Sequence, residues 1–202
     1  TGASPLLSEQ TENYANEQGQ CGLVLDLRLD ALCFAETPIL DEIALHVARS
    51  ETLALVGPSG VGKTSLLRII GGLETRYAGS CDVAGQVAMV FQEPTLLPWR
   101  SVCDNMCITA KISTFEAMDA LAEVGLSERS EAFPNTLSLG QQRRLSLARA
   151  FAIKPDLLLM DEPFVSLDPE LVEEMMALFA KLRAAHKVTT IIVTHVESEA
   201  KR

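Results

Sequence analysis

Two stretches of this 202-residue chain carry the residue types and the order needed for phosphate chemistry. Gly57-Pro58-Ser59-Gly60-Val61-Gly62-Lys63-Thr64 fits the pattern G-x-x-x-x-G-K-[ST] in full. Glycines there let backbone N–H groups converge on phosphate oxygens without Cβ clashes. A helix opening at the end of the loop adds the partial positive charge of its N-terminus. Lys63 is placed to reach the β- and γ-phosphates of a nucleotide and the Thr64 hydroxyl to ligate Mg²⁺, so the binding set runs from Gly57 through Ser65. The second stretch, Met160-Asp161-Glu162-Pro163, closes an apolar run with two carboxylates. Asp161 can hold Mg²⁺ directly or through water, and Glu162 can polarise an attacking water as general base.

These residues need elements to hold them. Thr52 to Val56 reads as a short apolar strand running into the loop. Leu66, Leu67, Ile69, Ile70 and Leu73 then repeat at helical spacing until Gly71-Gly72 weakens the helix. Val87 to Phe91 and Leu157 to Met160 read as buried strands. Asp168-Pro169 is an N-cap followed by proline at the first helical position, predicting a helix to about Ala185. Val188 to Val193 is one more strand, ending at Thr194-His195. Strand and helix in alternation around a phosphate loop imply a parallel sheet covered on both faces. Earlier, Leu23, Leu25, Leu27 and Leu29 alternate with charged residues, and Ile43, Leu45 and Val47 alternate likewise, which suggests an antiparallel layer. Over 101–136 the strand patterns vanish and Phe115, Met118, Leu121 and Ala122 form a helical stripe. The reading is a flexible tail over 1–20, rich in polar residues, then one domain over 21–202. Its core covers about 21–97 and 151–202, and its helical subdomain about 98–150. The expected fold class is α/β, a phosphate-loop NTPase core with a mixed sheet, an antiparallel β layer and a helical subdomain.

Composition narrows the function. With 48% apolar residues the chain can build a substantial core. A net charge of −10 argues against nucleic acid as a partner. No apolar run approaches the length of a membrane span, and no signal-peptide core stands near Thr1. The five cysteines are scattered, as in a reducing compartment. Cys103 and Cys107 lie four apart, but with no third ligand nearby they read as buried small apolar side chains.

The order of these motifs, with Leu137-Ser138-Leu139-Gly140-Gln141 between them, resembles the ATPase subunits of ATP-binding cassette (ABC) transporters over roughly 23–200. The resemblance implies roles for residues that carry little signal alone. Gln92, after Val90-Phe91, corresponds to the glutamine that contacts Mg²⁺ and links to the membrane subunit. Leu137–Gln141 corresponds to the LSGGQ signature, with Ser138, Gly140 and Gln141 facing ATP. Ser166-Leu167-Asp168 is similar to the D-loop. His195 stands where the switch histidine is expected, which implies contact with the γ-phosphate and help in holding the attacking water in line with the catalytic Glu162. Phe34 stands where an aromatic residue stacks on adenine, though ordinary packing is an equal reading. By resemblance the chain binds ATP and Mg²⁺ and works as a homodimer or cassette dimer. The signature of one copy closes over the γ-phosphate held by the other. Partners would be an integral membrane permease and a periplasmic substrate-binding protein, at the cytoplasmic face of the inner membrane.

The stretch Phe91 to Val102, followed by Asp104-Asn105, is similar to the ATPases of nitrate, taurine and aliphatic sulfonate importers, and its Leu-Leu-Pro-Trp is shared with importers of pyrimidine precursors. Leu96, Leu97 and Trp99 read equally as a groove for a coupling helix of the permease and as packing of the helical insertion. The pattern departs from the family twice. Leu139 replaces the first glycine of the signature, which puts a branched side chain where backbone should approach phosphate. The chain also stops seven residues after His195, where most relatives continue with strand and helix, so a less covered sheet edge is expected. The competing function is a regulatory module that dimerises on ATP and turns over weakly because of Leu139. A soluble ABC protein of DNA repair or translation fits the acidic charge poorly.

Overall fold

A computed structural model describes residues 22–34, 37–58 and 60–195. The tail expected over 1–20, the residues after His195, Ser59 and the side chain of Phe34 lie outside that description.

The longest alternating segments form a three-stranded antiparallel sheet. Its strands are β1 (Leu23–Phe34), β2 (Thr37–Ala48) and β4 (Ala78–Val83), in the order β2-β1-β4. The alternation has its expected effect: Leu25, Leu27, Leu29, Leu45 and Val47 are buried while Arg28, Asp30 and His46 are exposed. β4 carries little apolar pattern. Gly79 is its key residue, since at φ +133 a Cβ there would sit 2.1 Å from the Arg28 carbonyl oxygen. Only glycine lets β4 approach β1 so closely.

The short apolar strands form a separate sheet. These are β3 (Thr52–Val56), β5 (Val87–Val90), β6 (Leu157–Asp161) and β7 (Thr189–Thr194), all parallel in the order β3-β7-β6-β5. The mixture of strand directions expected from sequence therefore divides into one parallel and one antiparallel sheet. The parallel sheet is buried from both sides, as its near-continuous apolar runs require. Side chains of β6 alternate between the two cores. Leu157 and Leu159 pack with β1, β2 and α1 (Lys63–Ile70), whereas Leu158 and Met160 pack with the helices on the other face. β7 divides likewise, Ile191 and Val193 to one side and Ile192 to the other.

The opposite face is covered by α2 (Val102–Ala110), α3 (Thr114–Glu123), α4 (Leu139–Ala152) and α5 (Pro169–His186), with short 3-10 turns at Ser127–Arg129 and Pro134–Thr136. Each of the four carries a side-chain N-cap: Ser101, Ser113, Ser138 and Asp168. α1 does not. Its N-cap is Gly62 in the left-handed region, with no side chain to fill the donors of the first turn.

Candidate nucleotide site

The register of the parallel sheet assembles the site. Val56 pairs with Thr194 and Asp161 with Val193. The residues just beyond these strand ends, Gly57, His195 and Glu162, are thus brought side by side at the carboxyl edge of the sheet, where open α/β sheets bind ligands.

The loop entering α1 is shaped by Gly60 at φ +84 and Gly62 at φ +95, values that L side chains rarely adopt. Lys63, Thr64 and Ser65 begin the helix, and their N–H groups are among the orphan donors of an uncapped N-terminus. Lys63 Nζ donates to the carbonyl oxygens of Gly57 and Pro58, both at 2.7 Å. The ammonium head therefore arches over the loop, and with three donors it keeps one for an anion. Val61 lies half-buried within the turn.

Thr64 Oγ1 donates to Asp161 Oδ1 at 3.0 Å, tying the helix start to the end of β6. Asp161 is 7% exposed, and burial pushes its carboxyl above the ordinary 3.8. The Thr64 bond opposes that shift and the charge of Glu162 adds to it. A hydroxyl and a carboxylate are the hard oxygen donors that Mg²⁺ takes. Among the described residues no cluster of three His, Cys, Asp or Glu could hold a metal unaided. Mg²⁺ is usually held by one or two protein oxygens plus phosphate and water, and Thr64 Oγ1 with Asp161 Oδ1 is such a pair. The donor set therefore fits the ion.

Glu162 continues the pairing of β6 by donating its N–H to Val193 O at 2.9 Å, then turns into the left-handed region at φ +46. A non-glycine residue held there carries strain, which persists where surrounding structure fixes it. Its side chain is 19% exposed, and His195 Nδ1 lies 3.6 Å from Glu162 Oε1. Gln92 follows β5, which pairs with β6 through Val90 and Met160, so it stands at the same edge. It is exposed, and its carbonyl oxygen accepts a hydrogen bond from Arg143. Arg143 was not singled out in the sequence, because an arginine inside a helix after a polar run carries no motif signal.

Ser138, Leu139, Gly140 and Gln141 lie elsewhere. Ser138 caps α4 in a closed box: its Oγ accepts from Gln141 N at 3.3 Å and its N–H donates to Gln141 Oε1 at 3.0 Å. Leu139 is 45% exposed. At Gly140 a Cβ would come within 2.9 Å of Leu171 Cδ1 on α5. Asp168 Oδ1 accepts from Leu171 N at 3.0 Å, and Ser166 sits at φ +63. These two segments line one open groove of about 550 Å³. None of the described residues from 57–65, nor Asp161, Glu162 or His195, lines it.

The family model described as ABC transporter matches residues 40–165. The chain belongs to this family. It is similar to the aliphatic sulfonates import ATP-binding protein of Frankia alni, 46% identical over 169 residues, 83% of this chain and 69% of that one. A relative of the same description from Granulibacter bethesdensis is 43% identical, with 83% and 71% covered. Among solved structures, a dimeric ATP-binding cassette in a post-hydrolysis state bound to ADP and Pi superposes with TM-score 0.76 at 26% identity, covering 88% of this chain and 90% of that one. The cbiO1 protein of Clostridium perfringens, part of the ABC transporter complex cbiONQ, gives TM-score 0.76 at 25% identity, covering 87% and 79%. As an ABC ATPase the chain has the α/β nucleotide-binding fold expected from its sequence.

Proposed function

We propose that this chain is the ATP-hydrolysing subunit of an importer of aliphatic sulfonates or closely related oxyanions, working as a dimer with a membrane permease. The observation that carries the reading is the convergence of Lys63, Thr64, Asp161, Glu162 and His195 on one sheet edge. In the proposed chemistry, loop N–H groups and Lys63 hold the β- and γ-phosphates. Thr64 and Asp161, together with Gln92, would hold Mg²⁺, which would neutralise charge on the transferring phosphoryl group. Glu162 accepts the proton of the attacking water, and His195 holds that water in line.

The separation of the signature groove from the phosphate loop supports a composite site. Ser138, Gly140, Gln141 and Asp168 line a surface that includes none of the described residues of their own chain's loop, which agrees with a second copy supplying the phosphate they would face. Closure on ATP and opening after hydrolysis would drive the permease by population shift. The helical segment of about 98–150, inserted between core segments of about 21–97 and 151–202, would be the face toward the permease. Trp99 is 68% exposed there, with Leu96 and Leu97 half-buried beside it. Among the described residues no helix is long and apolar enough to cross a membrane. Peripheral attachment to the cytoplasmic face of the inner membrane, with a periplasmic binding protein delivering substrate, completes the proposal. The exposed Leu139 at the first turn of α4 favours one second reading, a dimerising module of weak turnover.

The test is Mg²⁺-dependent ATP hydrolysis by the chain co-reconstituted with its permease, with and without a sulfonate-loaded binding protein. Stimulation by sulfonate supports the proposal. Absence of hydrolysis in every combination would overturn it.

A further inference from the structure

The loop Glu93–Leu96 makes no backbone-to-backbone hydrogen bond among the described residues. It is held instead by side chains of α4 spaced three apart, which puts them on one helix face. Arg143 Nη1 donates to Gln92 O, and Ser146 Oγ donates to Pro94 O at 2.8 Å. Arg149 donates to Thr95 O at 2.9 Å, to Pro94 O at 3.2 Å and to Thr95 Oγ1 at 3.0 Å. Thr95 itself sits at φ +43.

Arg143 is the telling member. It is 6% exposed, and its Nε is buried without a partner; the nearby Glu93 charge favours its cationic form but makes no direct ion pair with it among the described residues. Burying a cation without a direct ion pair is costly, and an unbranched apolar side chain of similar length would fill the space more cheaply. What the guanidinium adds is a charge-assisted bond to one carbonyl, stronger and more directional than a neutral one. That carbonyl belongs to Gln92, whose own side-chain amide makes no hydrogen bond to the described protein. Fixing the peptide fixes the direction in which the free amide projects.

We propose that Arg143 is a positioning residue that aims the Gln92 amide into the nucleotide site. The proposal rests on the reading of Gln92 as a residue of that site.

Two measurements test this on the full chain with Arg143→Met, Arg143→Lys, Gln92→Ala and the Arg143→Met/Gln92→Ala double variant. The first is backbone ¹⁵N relaxation without nucleotide. Arg143→Met is expected to lower the order parameters of residues 92, 93, 95 and 96 while leaving those of α1 unchanged; unchanged order parameters in the loop overturn the tether. The second is steady-state hydrolysis. Arg143→Met should lower kcat by about ten- to a hundredfold, with KM for ATP little changed and partial recovery in Arg143→Lys. The double variant should be no slower than Gln92→Ala alone. Multiplying losses, or a fall in KM-dependent binding alone, would overturn action through Gln92. If the wild-type chain fails to hydrolyse ATP, the ATPase reading falls, and the relaxation result alone decides the tether.

Discussion

α1 and α4 begin with opposite arrangements. At α1 the cap is a glycine without a side chain, and the first-turn N–H groups are left for something outside the helix. At α4 the Ser138–Gln141 box already uses two of the orphan donors. In the proposed function one N-terminus would cradle an anion within a single chain; the other is a finished helix end that would offer phosphate its serine hydroxyl and its field. The difference argues that binding energy for nucleotide resides mainly at Gly57–Ser65, and that the signature contributes by bringing a second copy into register.

Substitutions can break this contrast, beginning with the largest effect. Glu162→Gln should cut hydrolysis by a factor of about 10²–10⁴ while leaving ATP affinity intact, since it removes only the proton acceptor. Turnover assays beside equilibrium binding of a fluorescent ATP analogue check this. Comparable loss in both would place Glu162 in binding instead.

Asp161→Asn should raise the half-saturating Mg²⁺ concentration by about ten- to a hundredfold. Because burial holds the Asp161 carboxyl above its ordinary value, the proton should compete with Mg²⁺ at a higher pH than for a free aspartate. Affinity for Mg²⁺ then falls as pH falls through that raised value. Stability has the opposite sign. A raised carboxyl pKa favours folding at low pH and costs stability as pH rises through it. Asp161→Asn should therefore melt higher than wild type near neutral pH without Mg²⁺, and this gain should vanish in acid. Thermal scans against pH read the crossing.

Ser138→Ala removes the α4 cap and should cost about 1 kcal/mol of stability, seen as a melting point roughly 2–4 °C lower. Nucleotide affinity of the isolated monomer should not change. A matching drop in monomer affinity would erase the contrast between the two helix starts. Leu139→Gly is the mildest. It should raise turnover by no more than about tenfold, equivalent to ~1.4 kcal/mol of improved contact, with a small loss of helix stability. An unchanged rate would mean that the exposed leucine does not obstruct the composite site.

The sequence made some of this legible and hid the rest for identifiable reasons. The loop Gly57–Thr64 and the acidic end of β6 were readable because phosphate chemistry demands fixed residue types at fixed spacing. β1, β2, β6 and β7 were readable because burial imposes a period of two or an unbroken apolar run. β4 was not, since a strand of small and polar residues paired along one edge has no such pattern; its place depends on Gly79 meeting the Arg28 backbone. Arg143, Ser146 and Arg149 were silent for a related reason. Their partners are carbonyls some 50 residues away, and a backbone carbonyl leaves no trace in sequence.

By itself, then, the sequence determined a glycine-shaped loop opening α1 and carboxylates at the end of β6. Both are local consequences of residue type. The tertiary structure supplied the contacts themselves, which sequence pointed to only through family resemblance: Thr64 reaches Asp161, Glu162 faces His195 and the signature lies on a different surface. Those relations follow from the β3-β7-β6 register and from the packing of α4 on the Gln92 loop. Register and packing are settled by long-range burial of both sheet faces, which no local pattern encodes.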